Sequence, residues 1–119
     1  MVDDSLINLR ETIFVNMETF ADGSYVQTLG TDNLVMIWED WTDFDCAWMS
    51  APVFTDQEVS ACLAYTKALS DFDELDVEDT TCVQGLRSIP QYKSVEAFAK
   101  IAFEVMSKRG PRPALEGTQ

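Results

Sequence analysis

The strongest local signal in this sequence is a helix start at residues 55–58, which read Thr-Asp-Gln-Glu. This order is that of a capping box, in which the Thr55 hydroxyl accepts the Glu58 amide hydrogen and the Glu58 carboxylate accepts that of Thr55. Phe54 and Val59 occupy the two apolar positions that flank such a cap. Inward-facing residues then recur at spacings of three and four, so the sequence predicts an amphipathic helix over 55–69.

Two further segments carry a helical pattern. Five apolar residues from Leu6 to Phe20 recur at spacings of three and four, which predicts a helix over 4–20. The β-prone residues 13–15 leave a strand as the alternative for the second half of this segment. Near the other end Pro90 breaks the chain, and Ser94 then caps a last helix over 94–109. Gly110 and Pro111 would end that helix.

The middle of the chain has shorter apolar runs that are typical of strands. The sequence predicts strands at 25–29, 34–39, 44–49 and 80–86, because their residues are β-prone or alternate, and turn residues separate the first three. Short connections favour antiparallel pairing. We therefore expect an α+β fold with a three- to four-stranded antiparallel sheet and two to three helices packed on one face. Residues 1–110 are expected to form a single acidic domain, with 111–119 as a flexible tail.

Charge is the feature that bears most on function. The 119 residues hold 21 acids and eight bases, and the formal net charge is −13. Residues 1–80 carry a net of −16, whereas residues 81–119 carry a net of +3. Such a field repels nucleic acid and anionic membranes and speeds encounter with basic surfaces. The acidic start and the lack of a long apolar run predict a cytoplasmic protein, in the host cytoplasm if the chain is viral.

The usual catalytic and metal-binding motifs are missing from the sequence. The chain has no histidine, no glycine-rich phosphate loop and no C-x-x-C pair among its three cysteines. Common nucleophilic triads and zinc sites need such residues. We therefore expect no enzyme activity, no metal and no cofactor, and we expect Cys46, Cys62 and Cys82 to be buried apolar residues.

Two acidic runs with interleaved apolar residues are the candidate partner-binding sites. In the first, Trp41 is either an exposed aromatic anchor ringed by carboxylates or an edge of the core. The second run is either a row of phosphate-like charges or a solvated loop. The candidate residues are Glu39, Asp40, Trp41, Asp43 and Asp45 in the first run, and Asp71, Asp73, Glu74, Asp76, Glu78 and Asp79 in the second.

These features favour a binding protein whose acidic face mimics nucleic acid. The expected partner is the basic surface of a nucleic-acid-binding protein or complex, with no direct contact to nucleic acid or membrane. In size and charge, though in no motif, the chain is similar to small phage-encoded blockers of restriction or CRISPR complexes, several of which mimic DNA. Two alternatives stay open: a secretion chaperone or toxin-immunity protein that masks one dedicated partner, and, with less support, a small enzyme or ligand-binding domain.

Overall fold

The structure is a computed structural model that describes residues 4–46, 49 and 51–113. Six helices and no strand are found in this part of the chain. Their bounds are α1 Asp4–Asp22, α2 Ser24–Leu29, α3 Thr31–Thr42, α4 Asp56–Asp73, α5 Val83–Leu86 and α6 Pro90–Ser107.

The four longest helices pack as a bundle. Helix α6 packs mainly against α1 and α4, whereas α3 packs against α4, and α2 connects α1 to α3. Helices α3 and α6 have little or no direct contact with each other. Aromatic rings fill the centre: Tyr65 of α4 stacks on Phe20 of α1 at 5.8 Å and meets Trp38 of α3 edge-on at 4.9 Å.

The three predicted helices are present. In the capping box of α4, the Thr55 amide donates to Glu58 Oε1 at 2.9 Å and the Glu58 amide donates to Thr55 Oγ1 at 3.1 Å. Helix α6 begins at Pro90 instead of Ser94, because proline in the first turn keeps a helical φ and lacks only an amide hydrogen that has no partner there.

The predicted antiparallel sheet is wrong, and the fold is not α+β in the described residues. Residues 25–29 belong to α2 and residues 34–39 to α3. Of the predicted strand 80–86, the last four residues form α5. Of the predicted strand 44–49, residues 44 and 45 lie in a turn, whereas 47 and 48 lie outside the described residues.

Burial along α3 explains this error. A strand would bury Leu34, Met36 and Trp38 on one face, because its side chains alternate. In the structure Leu34 and Trp38 are buried, but Met36 is 55% exposed. Leu34 and Trp38 are four residues apart, which matches the period of a helix. The indole of Trp38 is also held by α4, because its Nε1 donates to Thr66 Oγ1 at 2.8 Å. The tertiary packing of a half-apolar segment therefore outweighs its β propensity.

A buried ionic network joins α1, the start of α4 and the residues after α6 at one end of the bundle. Arg10 and Glu58 are 0% and 1% exposed. Two parallel hydrogen bonds connect them, at 2.7 and 3.0 Å. Arg109 donates to the same carboxylate at 2.8 and 3.3 Å, and Arg10 also donates to the Gly110 carbonyl at 2.9 Å. The last turn of α6 is thereby fixed to the first turn of α4 and to α1.

Candidate functional site

The first acidic run lies largely on the solvent side of α3. Glu39 and Asp40 are exposed there, and they share a stripe with Asp32, Met36 and Asp43. The first four of these residues stand at positions 0, 4, 7 and 8 from Asp32, which form one face of a helix with 3.6 residues per turn, and Asp43 follows as the C-cap residue. We call them the α3 face. Asp32 and Met36 are not among the predicted partner-binding residues, because the α3 face exists only when this segment is a helix.

Trp41 lies beside the core and not at the centre of the α3 face. Its ring is half-buried and stacks on Phe20 at 6.3 Å, with Trp38 edge-on at the same distance. Aromatic pairs at such distances add to core stability. The structure thus places Trp41 as the second of the two interpretations describes. Asp43 and Asp45 are exposed in the turn that follows the helix.

The second acidic run is divided between a helix and an irregular segment. Asp71 and Asp73 belong to the last turn of α4, and Asp71 pairs with Lys67 at 3.3 Å between two exposed side chains. Glu74, Asp76 and Glu78 are exposed on the chain that leads toward α5. The exposed ion pair between Lys67 and Asp71 contributes little to stability.

Asp79 has a structural contact that the sequence did not reveal. Its Oδ1 accepts the Asp32 amide hydrogen at 3.0 Å and the Thr31 hydroxyl at 3.4 Å. The residue before α3 is Gly30, which has no side chain to cap the helix. Asp79 therefore acts as the missing N-cap from a distant part of the sequence. This contact also places the second acidic run beside the first turn of the α3 face.

The two runs therefore border one surface. Helix α3 has 12 residues and a length of about 18 Å at 1.5 Å per residue. Asp40 and Asp43 lie at one end of it, and Asp32 with Asp79 at the other. We use the name acidic surface for the α3 face together with Glu74, Asp76 and Glu78.

The basic C-terminal segment leaves this surface uncovered in the described part of the chain. Arg87 pairs with Glu96 at 3.0 Å, Arg109 with Glu58, and Arg112 with Glu11 at 2.8 Å. None of these partners belongs to the acidic surface. Residues 114–119 of the predicted tail lie outside the described residues.

The three thiols differ in environment. Cys46 and Cys62 are buried as predicted, but Cys82 is exposed, so that expectation is wrong for Cys82. Burial raises the pKa of Cys62 to about 12 and also raises the pKa of Cys46. Cys82 lines an open groove of about 350 Å³ between α2 and α5. Arg87 is in the same groove, but it is already bound to Glu96 and to the Asp22 carbonyl.

No group of three potential metal-ligating side chains converges in the described residues. No helix among them is both long and apolar enough to cross a membrane. Comparison with known proteins adds no further assignment, because no family model, curated protein or solved structure matches the chain.

Proposed function

We propose that this protein binds the basic surface of a nucleic-acid-binding protein through its acidic surface and thereby keeps nucleic acid away from that partner. The α3 face is the observation that supports this proposal. It holds three exposed carboxylates on one side of α3 and a fourth, that of Asp43, at the C-cap, and no arginine or lysine in the described residues forms an ion pair with them.

The arrangement of charge suits this role. Duplex DNA presents about one phosphate charge per 1.7 Å of its axis, and its protein partners hold these charges with Lys and Arg. A rigid helix fixes carboxylates along about 18 Å without the entropy cost of ordering a loop. Met36, 55% exposed among these acids, can add an apolar contact that makes the complex tighter than charge alone would.

A matched pair of charge-neutralised variants tests the proposal. The first variant carries Glu39→Gln, Asp40→Asn and Asp43→Asn on the α3 face. The control carries Asp4→Asn, Glu18→Gln and Asp56→Asn, which remove three exposed acids elsewhere. Both variants change the net charge by the same amount.

The partner is first captured from host lysate on the immobilised protein and eluted with a salt gradient. The affinity of each variant for the purified partner is then measured with and without competing DNA or RNA. The three changes remove three solvent-exposed ion pairs with the partner. At about 0.5 kcal/mol for each pair, their loss weakens binding by roughly tenfold. We expect this loss, with a reduced salt dependence, in the first variant alone. Equal affinities of the two variants, or no competition by nucleic acid, would contradict the proposal.

The exposure of Met36 favours one alternative, in which the chain masks a single dedicated protein as an immunity protein or secretion chaperone does. The affinity of such an apolar contact would change little with salt concentration, and nucleic acid would not compete with it. Substitution of Met36→Gln would then weaken binding more than the three acid-to-amide changes.

A further inference from the structure

The solvent side of α6 is the basic counterpart of the α3 face. Six of its exposed residues stand at positions 0, 4, 7, 8, 11 and 15 from Lys93, so they form one stripe. They are Lys93, Ala97, Lys100, Ile101, Glu104 and Lys108. We call this stripe the α6 face. Its three lysines have no ion pair within the described residues, and Ile101 is 46% exposed at its centre.

The two faces do not meet within one molecule. Helices α3 and α6 have little or no direct contact with each other. Every residue of both faces is exposed, and no ion pair joins the two faces in the described part of the chain. Any pairing between them therefore requires a second molecule.

The spacing of charges matches across the two faces. Asp32 and Asp40 are eight residues apart, as are Lys100 and Lys108, which corresponds to about 12 Å on either helix. An antiparallel arrangement that sets Asp32 against Lys108 and Asp40 against Lys100 places Met36 opposite Glu104 and Ile101 opposite Glu39, so the two apolar side chains are three residues, or about 4.5 Å, apart along the axis. A parallel arrangement that starts at Asp32 and Lys93 would instead set Asp43 against Glu104.

We propose that the α3 face of one molecule docks antiparallel on the α6 face of a second copy of this chain. The contact is heterologous, because it uses two different surfaces, so it extends into chains of molecules instead of closing into a symmetric dimer. A single helix-on-helix contact is smaller than a standard interface, so the association is weak and concentration-dependent. It covers the α3 face, and therefore self-association and binding of the proposed partner exclude each other.

Overall repulsion opposes this contact but does not prevent it. The net charge of −13 acts between whole molecules. At physiological salt the screening length is about 8 Å, so charges on distant sides of the bundles contribute little, while charges in contact still interact.

Charge reversal on each face tests the proposal by sedimentation velocity over a range of concentrations. One variant carries Lys100→Glu and Lys108→Glu, and the other carries Asp32→Lys and Asp40→Lys. We expect the average mass of the unaltered protein to rise with concentration. Each variant alone should associate at least tenfold more weakly, and an equimolar mixture of the two should associate again, since each then offers a complementary face.

The second variant also separates local pairing from net charge. It makes the net charge less negative, so weaker repulsion between whole molecules would predict stronger association. Loss of the ion pairs between the two faces predicts weaker association. A control with Lys67→Glu and Arg112→Glu has the same net charge as the first variant and leaves both faces intact. This control should associate as the unaltered protein does. Circular dichroism confirms that each variant is folded.

Three outcomes would overturn the inference. These are a monomeric mass of the unaltered protein at every concentration, stronger association of the Asp32→Lys, Asp40→Lys variant, and a mixture that stays monomeric. Binding to vesicles of anionic lipid that depends on Lys100 and Lys108, without self-association, would assign the α6 face to membranes instead. The proposed function is tested separately, because the Lys100→Glu, Lys108→Glu variant keeps the α3 face and should still bind the basic partner.

Discussion

Substitution of Glu58→Gln should be among the most destabilising single changes in this protein. The Glu58 carboxylate accepts two hydrogen bonds from Arg10, two from Arg109 and one from the Thr55 amide. Glutamine has nearly the same shape but offers one acceptor oxygen and no charge. Its amide hydrogens would face the guanidinium groups that the carboxylate now binds.

The magnitude follows from the burial of the pair. The side chains of Arg10 and Glu58 are 0% and 2% exposed, and removing one partner of a buried pair typically costs 3–5 kcal/mol, since the other charge stays in the interior. Arg10 has two backbone carbonyl acceptors within 3.1 Å, which offset part of this loss. We expect a loss of about 3 kcal/mol, a large share of the 5–15 kcal/mol that is usual for a domain.

The pH dependence gives a second measure of the same interaction. Burial by itself would raise the pKa of Glu58, but hydrogen bonds from Arg109, Arg10 and the Thr55 amide, with the charge of Arg10, hold it below its ordinary value. A lowered pKa in the folded state means that the stabilisation is present above the unfolded value of about 4.3. It is lost as the pH falls through the folded value. The difference in unfolding free energy between the unaltered protein and the Glu58→Gln variant should therefore shrink below about pH 4.

Urea unfolding followed by tryptophan fluorescence measures these free energies at pH 7 and at lower pH. The control is Glu11→Gln, the same chemical change in the exposed pair with Arg112, where both side chains are 43–47% exposed. That change should cost no more than about 1 kcal/mol. If Glu58→Gln cost as little as its control, or if the difference persisted unchanged in acid, the reasoning would be refuted.

Two further predictions concern the start of α3 and the thiols. Asp79→Ala should lower the unfolding free energy by about 1 kcal/mol through loss of the α3 cap, whereas Glu78→Ala at the exposed neighbouring residue should change it little; equal effects in urea melts would argue against the cap. In the native protein Cys82 alone should react rapidly with a thiol reagent at pH 8, and all three cysteines should react in denaturant. Rapid labelling of Cys46 or Cys62 in the folded state would contradict their burial.

The sequence predicted helices correctly where the helical signal is local. The capping box at Thr55 and Glu58 satisfies backbone groups within one turn, and the stripe from Leu6 to Phe20 keeps the helical spacing past the β-prone residues 13–15. Such signals hold whatever the rest of the chain does. In α3, by contrast, Leu34 and Trp38 fit both a period of two and a step of four, so the local pattern leaves two structures open.

Some residues of the candidate site could be predicted from the sequence, and others only from the structure. The sequence alone identified the acidic residues at 39–45 and 71–79 and the opposite charge of the last third of the chain. It could not show that Asp32 and Met36 share a face with Glu39 and Asp40, because that follows only once 31–42 is a helix.

What the sequence alone determined is the charge, the absence of histidine chemistry and the helices with strong caps or stripes. What only the tertiary structure decided is the helical form of the middle segment, the cap that Asp79 provides to α3, and the burial of Arg10 against Glu58. These features depend on contacts between residues that are 28–48 positions apart. The free energy that fixes them comes from apolar burial and from hydrogen bonds and ion pairs between elements that are distant in the sequence, which no local pattern of residues encodes.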